Sequence, residues 1–346
     1  MTDIFTAEHD ESPQPDRRRR RLSKLMAIVL IVIAVLVGVA LLVAAVVGVY
    51  AASLARSFDE RTTKIEQAFP DESTRPEASD EGAVNILLMG SDSRADATEL
   101  DDEGPSDQRT DTMMLVHVDA DRQNVYAMSI MRDLYVPIPG RGEAKINSAF
   151  AYGGSPLTVH TVEQLTGARI DHVAIIDFEG FKGMTDALGG VDLVSPREFT
   201  ARGTKIQVGQ NHLDGEDALD FVRERYSFTD GDYTRVANQQ LFLKAIVDEV
   251  ISQDTLTDPG KISAFVDSVS DYLTVDDTLD AGTIASLGLS LRSVRSSNVH
   301  FFTVPTSGTG MVGSQSVVFT AEDKMSVLQQ ALRDDNLEAH LPTLVR

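Results

Sequence analysis

The sequence contains no cysteine. That absence excludes a disulfide framework, zinc sites built on thiolates and a cysteine nucleophile. It also lacks a Gly-x-Ser-x-Gly elbow and a Gly-x-x-x-x-Gly-Lys loop, the strained nucleophile turn of α/β-hydrolases and the phosphate cradle of P-loop enzymes. The seven histidines (His9, His117, His160, His172, His212, His300 and His340) show no paired metal spacing. His117 alternates within an apolar strand and reads as a core or rim residue rather than a base. Positive charge is scarce: 31 Lys and Arg face 53 Asp and Glu, a net charge of −22. Nucleic acid repels so acidic a surface, so no nucleic-acid partner is expected. No internal repeat is present.

One long hydrophobic run stands out. Residues 25–52 carry no charged side chain and are almost entirely Leu, Ile, Val and Ala. From Leu25 to Tyr50 a helix rising about 1.5 Å per residue would run roughly 39 Å, beyond a hydrocarbon core of about 30 Å. A cleaved signal peptide has a much shorter apolar region, about 7 to 15 residues. Arg17 to Arg21 and Lys24 precede the run, and Arg56, Asp59, Glu60, Arg61 and Lys64 follow it with mixed signs. The basic excess on the amino-terminal side predicts a single-pass protein of the cell membrane, amino terminus cytoplasmic and the rest extracytoplasmic. The tail through Lys24 is +1, which leaves −23 for the remainder.

This divides the chain into a cytoplasmic tail (1–24), a transmembrane helix (25–52), a polar extracytoplasmic linker (53–82), a catalytic-sized domain (83–335) and a carboxyl-terminal tail (336–346). Within the domain, Val84–Met89, Met113–Val118, Val125–Ile130, His172–Ile176, Val191–Val194, Val299–Val304 and Ser316–Phe319 read as strands. Ser155–Leu165, Phe178–Leu188, a helix capped by Asp214, Thr234–Ile251 and Glu322–Leu332 read as helices. The polar stretch 254–294 is expected to be an accessory helical segment. Strands alternating with helices, several strands apolar throughout, predict an α/β fold with a mixed central sheet covered by helices.

The chemistry collects at strand ends and helix starts. Gly90-Ser91-Asp92-Ser93-Arg94 follows the first strand, Arg109-Thr110-Asp111-Thr112 leads into the second, and Arg132-Asp133 closes the third. Ligands of open α/β sheets bind outside strand carboxyl ends. If neighbouring strands bring these segments together, Asp92 and Asp111 meet Arg94, Arg109 and Arg132. Two carboxylates hold Mg²⁺ loosely and leave room for phosphate oxygens and water, and guanidinium forks match phosphate geometry. Taken singly, each of these residues also suits an ordinary turn or surface ion pair. Arg223 and Arg225 end a helix, where cations stabilise the dipole. Arg235 and Gln239 share one face of the next helix. An arginine at a helix start opposes the dipole, and a bound anion would relieve it.

The segments NILLMGSDSR, RTDTMMLVHVD, SIMRDLYVPIPG, KINSAFAYGG, IDHVAIIDFEGFKGMTDALGGVDL, LDGEDALDFVRERY and GDYTRVANQQLFLKAI resemble the LytR-CpsA-Psr family, in order, over residues 84–250. The resemblance implies an α/β/α sandwich with a mixed central sheet and a greasy groove for a polyprenyl tail. It implies a phosphotransferase that moves a glycopolymer from a polyprenyl-pyrophosphate carrier onto peptidoglycan at the membrane, with Mg²⁺, or Mn²⁺ in its place, as cofactor. By motif, Asp92 and Asp111 match the metal-linked carboxylates and Arg132 the pyrophosphate clamp. Arg223 and Arg225 match the paired arginines, and Arg235 and Gln239 the helix-start phosphate contacts. Lys145 and Asn147 fall at the site's edge. The resemblance thus assigns catalysis to Asp92, Asp111, Arg132 and Arg225, and pyrophosphate binding to Arg132, Arg223, Arg225, Arg235 and Gln239; Arg94 and Arg109 join the pyrophosphate-binding set by their places at the strand ends. Three departures stand out: Asn238 where the family commonly has Arg, Met131 where it often has Pro, and the long acidic insertion 95–108. A pyrophosphatase, with water as acceptor, and a non-enzymatic lipid- or wall-binding regulator are the alternative functions.

Overall fold

The computed structural model describes residues 17–78, 82–91, 110, 112–230 and 232–345. The chain divides into two units, Met1–Ser53 and Leu54–Arg346. The long helix α1 runs from Arg17 to Arg61. Its stretch Gly38–Arg61, with a mean hydropathy of 2.2, is the one described helix long and apolar enough to cross a membrane.

The remaining elements follow in order. They are β1 (Thr63–Ile65), β2 (Val84–Ser91), β3 (Thr112–Val118), β4 (Val125–Ile130), β5 (Tyr135–Ile138), β6 (Gly142–Lys145), α2 (Ser148–Thr166), β7 (His172–Asp177) and α3 (Phe178–Ala187). Next come β8 (Val191–Ser195), β9 (Phe199–Ala201), β10 (Thr204–Ile206), β11 (Gly209–Leu213), α4 (Gly215–Arg223) and α5 (Asp232–Val250). The chain closes with α6 (Gln253–Leu256), α7 (Pro259–Ser270), β12 (Leu273–Asp276), α8 (Ala281–Ser290), β13 (Val299–Thr303), β14 (Thr306–Val312), β15 (Gln315–Thr320), α9 (Glu322–Arg333) and α10 (Leu337–Leu344).

Seven strands form one sheet in the order β1-β12-β7-β2-β3-β4-β13. The β2–β7, β1–β12 and β4–β13 pairs are parallel; β2–β3, β3–β4 and β7–β12 are antiparallel. The sheet is therefore mixed, as the apolar strands predict. Alternation along β2 sends Leu87 and Met89 into a core shared with Phe150, Val159 and Val162 of α2 and Leu328 of α9. A second core joins α3, α4 and α5 to β8–β11 through Phe199, Phe221, Phe242 and their neighbours. Helices on both faces make the α/β/α sandwich.

Several segments are more ordered than their composition predicts. The 254–294 stretch is not only an accessory helical segment, because β12 enters the main sheet between β1 and β7. Four residues, half of them polar, are too few to show a period in sequence. The described part of 53–82 carries β1 and Arg75, whose Nε and Nη2 donate to Glu163 Oε1 at 3.0 and 2.9 Å. Arg75 also donates to the Ile170 carbonyl and lies over the Phe69 ring. Residues 337–344, read as tail, form α10 with Leu337 and Leu344 in the core. The helix expected from Ser155 starts at Ser148 and breaks at Gly153 and Gly154, where Gly154 has φ 58°.

Asp276 shows why β12 holds its place. It is fully buried, and its carboxylate accepts from the N–H groups of Val173, Thr278 and Leu279 and from the Thr278 hydroxyl. Burial alone would raise its pKa, but hydrogen bonds from His172, Thr278 and Val173 outweigh it and bring the carboxyl down to about 2. A depressed carboxylate stabilises the fold above its unfolded pKa of 3.8 and loses that contribution as pH falls toward 2. The contribution is about 2 kcal/mol. The urea midpoint is expected to fall between pH 4 and 2 with this component, and Asp276→Asn to remove it.

Candidate active site

The carboxyl end of β2, the start of β3 and the end of β4 meet helices α3, α4 and α5 around a cavity of about 260 Å³. Its depth is apolar: Leu88 and Met114 from the sheet face Phe178, Phe181, Leu219, Val222, Phe242 and Leu243 from the helices. Gly90 also lines it, and a β-carbon there would stand 3.3 Å from Thr112 Cβ, so glycine keeps this wall thin. Five arginines line the same cavity: Arg132, Arg202, Arg223, Arg225 and Arg235. A chain with a net charge of −22 has concentrated cations on one concave surface. That pairing of apolar depth and cationic lining suits a long hydrocarbon bearing phosphate groups.

Each arginine is held differently. Arg132 stands two residues past the end of β4, with Nε 3.8 Å from Asp133 Oδ1. Arg223, at the end of α4, lies over the Phe178 ring at 4.2 Å. Arg225 donates to the Tyr226 hydroxyl at 2.9 Å and lies over its ring. Tyr226 itself is 81 % exposed. The hydrogen bond from Arg225, then its charge, lowers the Tyr226 pKa, with Arg202 and Arg132 adding to the effect. Arg235, in the first turn of α5, is buried and pairs with Asp232 Oδ2 at 3.0 Å. Asp232 opens that helix, where an acidic side chain is favoured, and offsets the misplaced cation. Gln239 donates to Thr112 Oγ1 at 3.0 Å and to the Val222 carbonyl at 3.3 Å, tying α5 to β3 and α4 beneath the arginines.

The structure thus brings Arg132, Arg223, Arg225, Arg235 and Gln239 onto one cavity. Lys145 and Asn147 stand beside it. Lys145 Nζ pairs with Asp133 Oδ1 at 2.8 Å, and Asn147 is buried, with its N–H donating to the Arg132 carbonyl. Asp92, Arg94, Arg109 and Asp111, and the insertion 95–108, lie outside the described residues. Their chain neighbours Ser91 and Thr112 end and begin adjacent strands, with Gly90 paired to Thr112 at the cavity wall. Asn238 is buried with Nδ2 unpartnered, so this turn of α5 carries one cation fewer than the family pattern.

Some site residues escaped the sequence reading. Arg202 sits in the β9–β10 turn at φ 49°, with no motif to mark it. Asp133 and Asp232 anchor Lys145 and Arg235, and burial raises the Asp232 pKa, with Asp133 among the charges that raise it further. Asp177 caps α3 at the cavity wall by accepting from the Gly180 N–H at 2.8 Å. The one available clue was spacing: Asp232 precedes Arg235 by three residues on a helix.

Residues 49–334 match the model of the LytR_cpsA_psr family. The chain is 32 % identical over 293 residues to the cell wall biosynthesis protein LcpA of Corynebacterium glutamicum, covering 73 % of this chain and 56 % of that one. It is 35 % identical over 199 residues to the polyisoprenyl-teichoic acid–peptidoglycan teichoic acid transferase TagU of Bacillus mycoides, covering 57 % and 62 %. The chain therefore spans about 56 to 62 % of the length of these two relatives. Among solved structures, B. subtilis TagV superposes with a TM-score of 0.62 at 24 % identity, covering 74 % of this chain and 98 % of that one. A LytR-Csp2A-Psr enzyme from Actinomyces oris gives 0.62 at 20 %, covering 78 % and 95 %, and shares the fold. With ordered motifs, the mixed sheet, the arginine-lined cavity and a family match over most of its length, the chain belongs to the LytR-CpsA-Psr family.

Proposed function

We propose that this protein transfers a glycopolymer from a polyprenyl-pyrophosphate carrier onto peptidoglycan, with the reaction held at the outer face of the cell membrane. The observation that carries the reading is a cavity that joins an apolar depth to five arginines. The apolar walls take the first isoprene units of the carrier, and the guanidinium groups bind the pyrophosphate oxygens at the cavity's cationic side. A hydroxyl of the acceptor attacks the phosphorus that bears the glycopolymer. The phosphoanhydride bond breaks, polyprenyl phosphate departs, and the hydroxyl proton passes to solvent or to the leaving phosphate. Phosphoryl transfer of this kind rests on positioning and charge neutralisation, which fixed arginines supply without reorganisation.

Asp92 and Asp111, with pyrophosphate oxygens, are the residues we propose to hold Mg²⁺. The fit rests on the donor chemistry and on the pairing of Gly90 with Thr112 at the cavity wall. When bound, the ion would neutralise pyrophosphate charge. Asp232 and Asp133 fix Arg235 and Lys145 in position. The helix α1 would keep the site near a carrier that itself resides in the membrane.

The test is turnover of a synthetic polyprenyl-pyrophosphate oligosaccharide with peptidoglycan fragments, with and without Mg²⁺. Metal-dependent appearance of phosphosugar on the acceptor supports the transferase. Release of phosphosugar to water, unchanged by acceptor, indicates a pyrophosphatase, and binding without turnover indicates a receptor. The apolar depth also sets a length dependence. Shortening the carrier to two isoprene units is expected to weaken binding by about 10- to 100-fold, from the burial lost in the cavity. Competition binding of both carriers measures it, and equal affinities would remove the cavity walls from recognition.

A further inference from the structure

At the opposite end of β3 from the cavity, a second cluster has no part in this chemistry. His117, fully buried, faces Asp335 Oδ1 at 2.9 Å and Asp119 Oδ1 at 3.6 Å through Nε2. The three donor atoms lie within 4.8 Å of one another. Thr112, at the cavity wall, is five residues away along β3, roughly 17 Å at about 3.4 Å per residue.

We infer that His117, Asp119 and Asp335 form a binding site for a divalent transition-metal ion of the zinc type, which pins the α9–α10 turn to the carboxyl end of β3. Proton counting leads there first. Asn85 Nδ2 donates to the Arg169 carbonyl at 2.9 Å, which fixes the amide so that its Oδ1 accepts from His117 Nδ1 at 2.8 Å. The Nδ1 atom therefore carries a hydrogen, and in the neutral ring Nε2 carries a lone pair. That lone pair points at a carboxylate oxygen 2.9 Å away, so a cation belongs between them. Ligand atoms bound tetrahedrally at about 2.0 to 2.2 Å stand roughly 3.3 to 3.6 Å apart; the observed 3.6 Å matches that spacing, and the 2.9 Å contact has to open by a few tenths of an ångström.

The surrounding groups are arranged as they are around metal ligands. Asn85 orients the imidazole. Asp335 Oδ2 accepts from the Ala120 N–H at 2.9 Å, leaving Oδ1 for the cluster. Asp119 Oδ2 accepts from Asn124 at 3.2 Å, while its Oδ1 is buried without a hydrogen bond. Asp335 holds φ 47°, a left-handed conformation that aspartate tolerates better than most residues. Tyr126 gives an independent sign. Its side chain is 0 % exposed, its hydroxyl has no hydrogen-bond partner, and the charges acting on it are led by Asp119 and include Asp335. One neutral imidazole and two carboxylates balance a dication without leaving a buried net charge.

The test uses the full chain in detergent, stripped of metal, with Mg²⁺ in excess and Zn²⁺ as titrant in a calorimeter. One Zn²⁺ per chain is expected, with saturation raising Tm by roughly 5 to 10 °C at 100 times Kd. Asp335→Asn and His117→Gln are expected to weaken binding by about 100-fold, and Asn85→Ala, which only orients the ring, by about 10-fold. Co²⁺ should give visible absorption that the variants lose. If a variant fails to fold, Asp119→Asn serves with the same expectation. No saturable binding would overturn the proposal, as would binding unchanged in the variants, which would mark adventitious surface sites. In either case a buried imidazolium between the two carboxylates takes the ion's place.

Discussion

Arg132→Ala is expected to lower the proposed glycopolymer transfer by about 10²- to 10⁴-fold with little change in Tm. Arg132 stands just past the end of β4 and lines the cavity, outside the hydrophobic core, so truncation widens that cavity and removes no core residue. Asp133, its neighbour, keeps Lys145 as a partner at 2.8 Å, and no carboxylate is stranded. The loss should therefore fall on the phosphate-bearing transition state and not on the fold. Arg132→Lys restores the charge but not the planar fork, and is expected to recover only part of the rate. Single-turnover transfer beside a thermal melt decides the matter. Unchanged turnover in the alanine variant would remove Arg132 from the clamp.

The largest expected effect on stability lies elsewhere, in Glu163→Ala. Arg75 and Glu163 are 6 % and 1 % exposed, and the same Glu163 oxygen also accepts from the Ile170 N–H at 2.9 Å. Removing the carboxylate leaves a guanidinium buried with only the Ile170 carbonyl, the Phe69 ring and a distant, exposed Glu72 for company. Breaking one partner of a buried pair costs about 3 to 5 kcal/mol, which lowers Tm by roughly 10 °C in a domain of this size. The paired replacement Arg75→Met with Glu163→Leu should recover much of the loss, since no charge is then buried. Equal destabilisation by the single and double variants would show that packing, not charge, holds this corner.

Legibility in the sequence followed physical reach. Strands β2, β3, β4 and β7 announced themselves because a strand covered on both faces is an apolar run, and α3 and α4 because Asp214 and the Gly189-Gly190 break bound them. Four of the five cavity arginines, Arg132, Arg223, Arg225 and Arg235, were legible because they sit at or just beyond element ends, where ligands of α/β sheets gather. Arg202 was not, since a turn arginine at φ 49° looks like any solvent-facing one. Nor was β12, too short to show a period. The His117–Asp335 contact joins residues 218 apart, and no spacing rule spans that distance. His117 was correctly read as interior, yet its partners lie where only the folded chain brings them.

The place of β1 and β12 has a consequence for biosynthesis. Thr63 pairs with Thr274, so an early strand waits for one that emerges some two hundred residues later. Until then the edge of β7 offers unpaired backbone groups, in a chain that must finish folding with a hydrophobic helix at its start. Such non-local pairing is slow, because a long loop must close before any contact repays it. A chain halted after Val250 would lack β12, β13 and the α9–α10 turn, and would expose both flanks of a sheet already built. Open flanks recruit neighbouring chains. For this protein, productive folding therefore turns on whether its last hundred residues arrive in time.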